Sequence, residues 1–129
     1  MNESCSKEII AAIKRAEDSI EDGEILLKEE RFIAVVNRAY YSIFYSLSAL
    51  ALDNGFETSK HMQLIGWFNK NFVKTGKVAT ELGEVVMVAY DQRISGDYDF
   101  LSDCSREEAV EALQASKNFL PAIKILLGI

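Results

Sequence analysis

Chain breaks are scarce in this protein. A single proline, Pro121, and seven glycines are spread over 129 residues, which leaves little to interrupt long helices. Thiols are scarcer still. Cys5 and Cys104 lie far apart and match no metal-ligand spacing, so reduced, structural thiols are expected. A disulfide between them requires Cα atoms within about 7 Å. Long hydrophobic runs are missing too. The longest weakly polar stretch, Tyr40–Leu52, is too short to span a bilayer and holds three serines, so no membrane association is expected. The start, MNESCSKE, is polar with no long apolar stretch behind it; no secretory signal is expected, and the cytoplasm is the default location. Basic residues are in deficit, 14 against 20 acidic ones, for a net charge of −6. The protein as a whole is therefore not drawn to nucleic acid, and any RNA contact needs a local basic patch or a basic partner. No metal or cofactor is expected.

What is present reads as one globular domain over residues 1–129, 49% hydrophobic and 26% charged. The organising stretch is NRAYYSIFYSLSALAL, Asn37–Leu52. Val36, Tyr40, Ile43, Leu47 and Leu50 recur at steps of four and three and form one apolar seam of a helix. Arg38, Tyr41, Tyr45, Ser48 and Leu52 form a second seam, roughly 200° around at about 100° per residue. A helix without a plain polar face is covered on both sides. The chain's other helices can cover the first seam. Tyr41 and Tyr45 on the second either pack inside the monomer or meet a partner, and a homodimer is expected to cover them.

Four more helices are predicted around this one. The first spans about Ser6–Lys28, with Ile9, Ile13, Ala16, Ile20 and Leu27 inward and Gly23 marking a bend or a close helix contact. A short turn at Glu29–Arg31 sends the second helix back antiparallel, to end near Asp53-Asn54-Gly55. The third, capped by Thr58 or Ser59, turns His61, Ile65, Phe68 and Phe72 inward and ends at Lys74 and Gly76. The fourth, capped by Thr80, carries Leu82, Val85, Val86, Ala89 and Tyr90 in a line that lands on Arg93; it should stop near Gly96, with Asp97-Tyr98-Asp99 in a loop. The fifth opens with a capping box, Ser105 and Glu108, buries Ala109, Leu113, Ser116, Leu120, Ile123 and Leu127, and is expected to kink at Pro121. The fold class is all-α, an up-and-down bundle of about five helices.

Strict alternation would place the starts of helices one, three and five at one end with the ends of helices two and four. His61 and Arg93 would meet there, facing inward, and Cys5 and Cys104 would share that end. His61, Arg93, Asp97 and Tyr98 are thus the candidate site, where a helix N-terminus and a guanidinium suit phosphate. The plainer alternative is a core histidine beside an Arg–Asp clamp on a loop. Lys60, Lys70, Lys74 and Lys77, with Asn69 and Asn71, form either a solvated face or a modest RNA footing.

The run Asn-Arg-Ala-Tyr-Tyr opening an apolar helix resembles the second helix of the HEPN family, small prokaryotic helical domains. SKHMQLIGWFNKNFVKTGKV is similar to that family's His-containing third helix and Lys-Thr-Gly turn, and QRISGDYDF to its Arg followed by Asp-Tyr. The resemblance implies a dimerising helical bundle, commonly paired with a small nucleotidyltransferase in a toxin–antitoxin system, with nucleotide or RNA in a cleft near Arg38, Tyr41, Asp97 and Tyr98. Active members are metal-independent ribonucleases with Arg, four to six residues, then His. There arginine offsets charge on the phosphate and histidine moves protons at the ribose. Arg93 fits the arginine, but Tyr98, Asp99 and Phe100 stand where the histidine would fall. The motif is incomplete, and His61 can replace the missing group only if the fold brings it to Arg93.

Overall fold

The structure, a computed structural model, describes residues 3–129, with side chains from Ser6 onward. Its helices are α1 (Glu3–Lys28), α2 (Phe32–Asp53), α3 (His61–Phe68, continued by a π-helical turn, Asn69–Val73), α4 (Thr80–Tyr98) and α5 (Arg106–Leu127). No strand occurs among the described residues, as the apolar periodicity of each segment requires.

The predicted rod, α2, is the axis of the bundle and touches α1, α3, α4 and α5. Val36, Tyr40, Ile43, Leu47 and Leu50 are all buried. Between the two seams runs a strip of small residues, Ala39, Ser42, Ser46 and Ala49, buried as well. Ser42 Oγ donates to the Ala16 carbonyl of α1 at 2.9 Å, and Ser46 Oγ to the Ser42 carbonyl at 2.8 Å. Small side chains with internally satisfied hydroxyls let α1 pack close without stranding a polar group.

The turn between α1 and α2 is as short as predicted and holds Glu30 at φ 60°, a costly left-handed conformation for a non-glycine residue. Arg106 at the start of α5 pairs with the Glu30 carboxylate. Down α5 the partners on α1 run backwards: Lys117 meets Glu24 at 2.5 Å and Lys124 meets Glu17 at 3.4 Å. α1 and α5 are therefore antiparallel. At their contact a Cβ on Gly23 would lie 2.8 Å from Leu113 Cδ1, so the glycine serves the close helix contact.

Strict alternation of direction fails once, between α2 and α3, and this reverses α3, α4 and α5 relative to the expectation. The loop over residues 54–60 folds back along α2, with Phe56 N–H donating to the Ala51 carbonyl at 2.9 Å. It encloses a small cavity with Ser48, Ala51, Leu52 and Leu64. That loop makes the descent that alternation assigned to a helix. α3 consequently starts halfway down α2 and climbs towards Phe119 of α5, 6.0 Å from Phe68 between ring centroids. α4 then returns antiparallel to α2, with Arg93 reaching Tyr41 and Asp97 reaching Asn37. Cys104, a free thiol, lies beside Leu26, Leu27 and Phe32, at the end of α1 and not its start. The shared end expected for Cys5 and Cys104 is thereby corrected; the Cys5 side chain lies outside the described residues.

Local signals hold in part. Ile65, Phe68 and Phe72 are buried as predicted, the last within the π turn. Thr80 is the first residue of α4 and caps nothing; Ala79 stands at the N-cap. Thr58 Oγ1 accepts from Lys60 N–H at 3.1 Å ahead of α3, whose own N-cap is Lys60. α4 also runs through Gly96 to Tyr98, so Asp97 and Tyr98 are helical and not part of a loop. α5 continues through Pro121 to Leu127. The serine half of the capping box is formed: Ser105 Oγ accepts from Glu108 N–H at 3.0 Å, while Glu108 Oε1 accepts from the Ser105 hydroxyl at 3.3 Å and not from its backbone N–H. Ser105→Ala is expected to cost about 1 kcal/mol in urea denaturation, with no change in slope against denaturant.

Candidate functional site

The second seam of α2 is half-buried, and around it α3 and α4 bring together an imidazole, two tyrosines and a guanidinium. His61 opens α3. Its ring lies against Phe44 at 4.1 Å, 16° from parallel, and its Nδ1 is 2.6 Å from the Tyr40 hydroxyl. Burial pushes the Tyr40 phenol well above its usual value, so the hydroxyl keeps its proton; the bond runs from it to Nδ1, or from Nδ1–H to its oxygen, according to the imidazole tautomer. Nε2 of the neutral imidazole correspondingly carries a proton or a free lone pair, and it has no partner among the described residues.

Burial, and secondarily the Arg93 charge, lowers the His61 pKa. His61 is therefore neutral around pH 7 and suited to accept protons rather than to enter a reaction cationic. The unfolded chain protonates near 6.5 and the folded one only at lower pH. The stability due to neutral His61 is complete above about 6.5 and is lost as pH falls through the folded-state value. We expect urea stability to fall more steeply between pH 7 and 5 in the wild type than in His61→Asn, which keeps an acceptor for Tyr40 but does not titrate.

Arg93, three turns into α4, is 13% exposed and lies on the buried side, as its place on the apolar line requires. One terminal nitrogen donates to the Tyr41 hydroxyl at 3.2 Å. Its guanidinium sits over the rings of Tyr40 at 5.4 Å and Tyr41 at 5.5 Å, a cation–π arrangement. Its Nε is 3.1 Å from Asp97 Oδ2 one helical turn on, yet the N–H is not aimed at that oxygen and finds no acceptor. A buried guanidinium N–H without an acceptor is costly.

A second guanidinium approaches the same ring. Arg38 lies 5.0 Å from the Tyr41 centroid and donates to Asn37 Oδ1 through Nε at 3.0 Å and a terminal nitrogen at 2.7 Å. The Asn37 amide in turn reaches Asp97 Oδ2 at 3.5 Å. Among the described residues Arg38 pairs with no carboxylate. A cavity of about 620 Å³ opens beside Asn37, Arg38 and Asp97, with Phe32 and Ile33 in its wall.

The structure thus brings His61, Arg93, Tyr41 and Arg38 together, with Asp97 at the rim. Tyr98 stays apart, 69% exposed. Tyr45 is half-buried, 5.9 Å from Tyr41 and 6.0 Å below Arg15 of α1. Lys60, Lys70, Lys74 and Lys77 are exposed. Three contributors escaped the sequence reading. Tyr40 lies on the core seam, yet its hydroxyl holds His61. Phe44, lying between the two seams, supplies the surface on which the imidazole rests. Asn37 links Arg38 to Asp97; its place one turn before Tyr41 was the available signal. No cluster of His, Cys, Asp and Glu able to hold a metal occurs among the described residues, and no described helix is long and apolar enough to cross a membrane.

The family model of the HEPN domain matches residues 11–126. The chain belongs to the HEPN family. Relatives of this HEPN protein include a UPF0332 protein of Thermotoga maritima, 40% identical over 88% of the chain and 86% of the relative. Two proteins of Methanocaldococcus jannaschii, each named "putative toxin", are 36% identical over 92% of the chain and 80% of the relative, and 31% identical over 96% and 92%. The resemblance carried by Asn37–Tyr41, His61 and Arg93 is to this family, and the all-α bundle agrees with it.

Proposed function

We propose that this HEPN protein binds the phosphate of a nucleotide or RNA in the cleft between Arg38 and Arg93, as one member of a toxin–antitoxin-like pair with a small nucleotidyltransferase. The observation that carries the reading is the convergence of two guanidiniums on one tyrosine ring, with a single carboxylate in ion-pair range of Arg93. In a chain of net charge −6, such a local excess of positive charge favours an anion. The fork geometry of arginine matches phosphate oxygens, and Nε2 of His61 is a neutral donor in the tautomer that accepts from Tyr40. The "putative toxin" relatives favour a toxin-like role, and a homodimer through the Tyr41–Tyr45 flank fits the half-buried tyrosines.

A second reading, a metal-independent ribonuclease, is favoured by one observation: His61 lies in the field of Arg93. Its lowered pKa suits a general base and leaves the general acid unsupplied. Incubating the purified protein with a labelled 5′-phosphorylated oligoribonucleotide in chelator separates the two. Salt-sensitive binding with the RNA intact is expected. Cleavage abolished by Arg93→Ala establishes the ribonuclease, and absence of binding leaves a scaffold. Co-purification with a nucleotidyltransferase encoded beside it tests the pairing.

A further inference from the structure

A different surface, next to the cleft, is built for a protein. Between the end of α4 and the start of α5 the chain exposes Tyr98 at 69%, Phe100 at 97% and Leu101 at 95%. These are three large apolar side chains within four residues, and nothing in the fold uses them. Isolated exposed apolar residues are ordinary, but a contiguous group this open marks an interaction site. The segment is also held in shape. Asp99 Oδ1 accepts from Leu101 N–H at 3.0 Å, the Asp99 carbonyl accepts from Ser102 N–H at 2.9 Å, and Asp103 Oδ1 accepts from Cys104 N–H at 2.8 Å. The aspartates fold the backbone, and the apolar side chains between them are left to solvent.

Charge defines the occupant. Asp99 and Asp103 interleave with the apolar residues, and no lysine or arginine occurs between Arg93 and Arg106. RNA is repelled by such a segment. A second copy docked symmetrically would set carboxylates against carboxylates, which disfavours self-pairing. We propose that residues 98–103 are the docking segment for a partner protein that presents an apolar pocket rimmed by lysine and arginine, with Phe100 and Leu101 as the anchors and the aspartates steering the encounter. Buried aromatic anchors carry most of the energy of such contacts, and rim charges set rate and specificity. The inference does not depend on what the cleft between Arg38 and Arg93 binds.

The test is photo-crosslinking of the full chain in its own host, with p-benzoylphenylalanine placed at Phe100 and, as a control, at the comparably open Ile125 (78% exposed). A crosslink to one protein from position 100 alone is expected, with the crosslinked peptide, mapped by mass spectrometry, flanked by lysine or arginine. Leu101→Ser should abolish it, and Asp99→Asn with Asp103→Asn should lower its yield at least threefold. The Asn pair retains acceptors for the turn, so the loss reports charge rather than unfolding. Crosslinking to a second copy or to RNA, equal capture from position 125, no capture at all, or indifference to the Asn pair overturns the proposal.

Discussion

Arg93→Ala is expected to weaken binding of ATP or a 5′-phosphorylated oligoribonucleotide by about 10- to 100-fold, the equivalent of one charge-assisted hydrogen bond of roughly 1.5–3 kcal/mol. Arg93 donates to Tyr41 and lies over two rings, so an incoming phosphate meets a guanidinium already held in place and pays little to organise it. Arg93→Lys should recover only part of the loss, because an ammonium lacks the planar fork. Arg38→Ala should cost less, since Arg38 is oriented only by Asn37 and the Tyr41 ring face. Fluorescence anisotropy at two salt concentrations measures both, and the salt dependence should flatten in each variant. Equal affinities for wild type and Arg93→Ala would remove Arg93 from the binding site.

The largest stability loss is expected from Phe68→Ala, about 3–5 kcal/mol, a large share of the 5–15 kcal/mol typical of a domain. Phe68 is 0% exposed. Its ring meets Phe72 within the π turn at 6.0 Å and Phe119 of α5 at 6.0 Å. It therefore joins the short α3 to the rest of the core, and its removal leaves a cavity where three segments converge. Phe56→Ala should cost clearly less, since Phe56 is half-buried and stacks only on Trp67 at 5.5 Å. Urea denaturation followed by circular dichroism checks both; a Phe68→Ala midpoint close to wild type would mean that the site collapses without a cavity.

The helices themselves were legible because apolar spacing reports which face is buried, and burial is a local property of α2, α3 and α5. Val36, Tyr40, Ile43, Leu47 and Leu50 are buried as their spacing demands. Arg93 was placed correctly for the same reason: an extended apolar line carries a long side chain inward whatever its charge. Helix direction was not legible. It depends on whether the loop over residues 54–60 merely turns or also travels, and the packing of Phe56 and Thr58 back beside Ser48 and Ala51 leaves no spacing signal. Alternation put His61 and Arg93 at one end of the bundle; both instead lie against the rings of Tyr40 and Tyr41, in the first half of α2, because α4 returns along α2. The role of Tyr40 stayed hidden because a tyrosine on an apolar seam shows its ring to the periodicity and not its hydroxyl. Thr80 failed as a cap because α4 begins at Thr80 itself, one residue after Ala79; several adjacent residues can start a helix, and side-chain chemistry alone does not select among them.

His61 is the sole histidine, so proton NMR of the untagged protein follows one imidazole without assignment. Titrating that signal with and without saturating ATP tests the cleft most directly. A bound phosphate offsets the Arg93 charge that helps to depress the imidazole, so its pKa should rise on binding and should not respond in Arg93→Ala. An imidazole whose shift and pKa are unchanged while ATP demonstrably binds would place the ligand elsewhere and contradict the account.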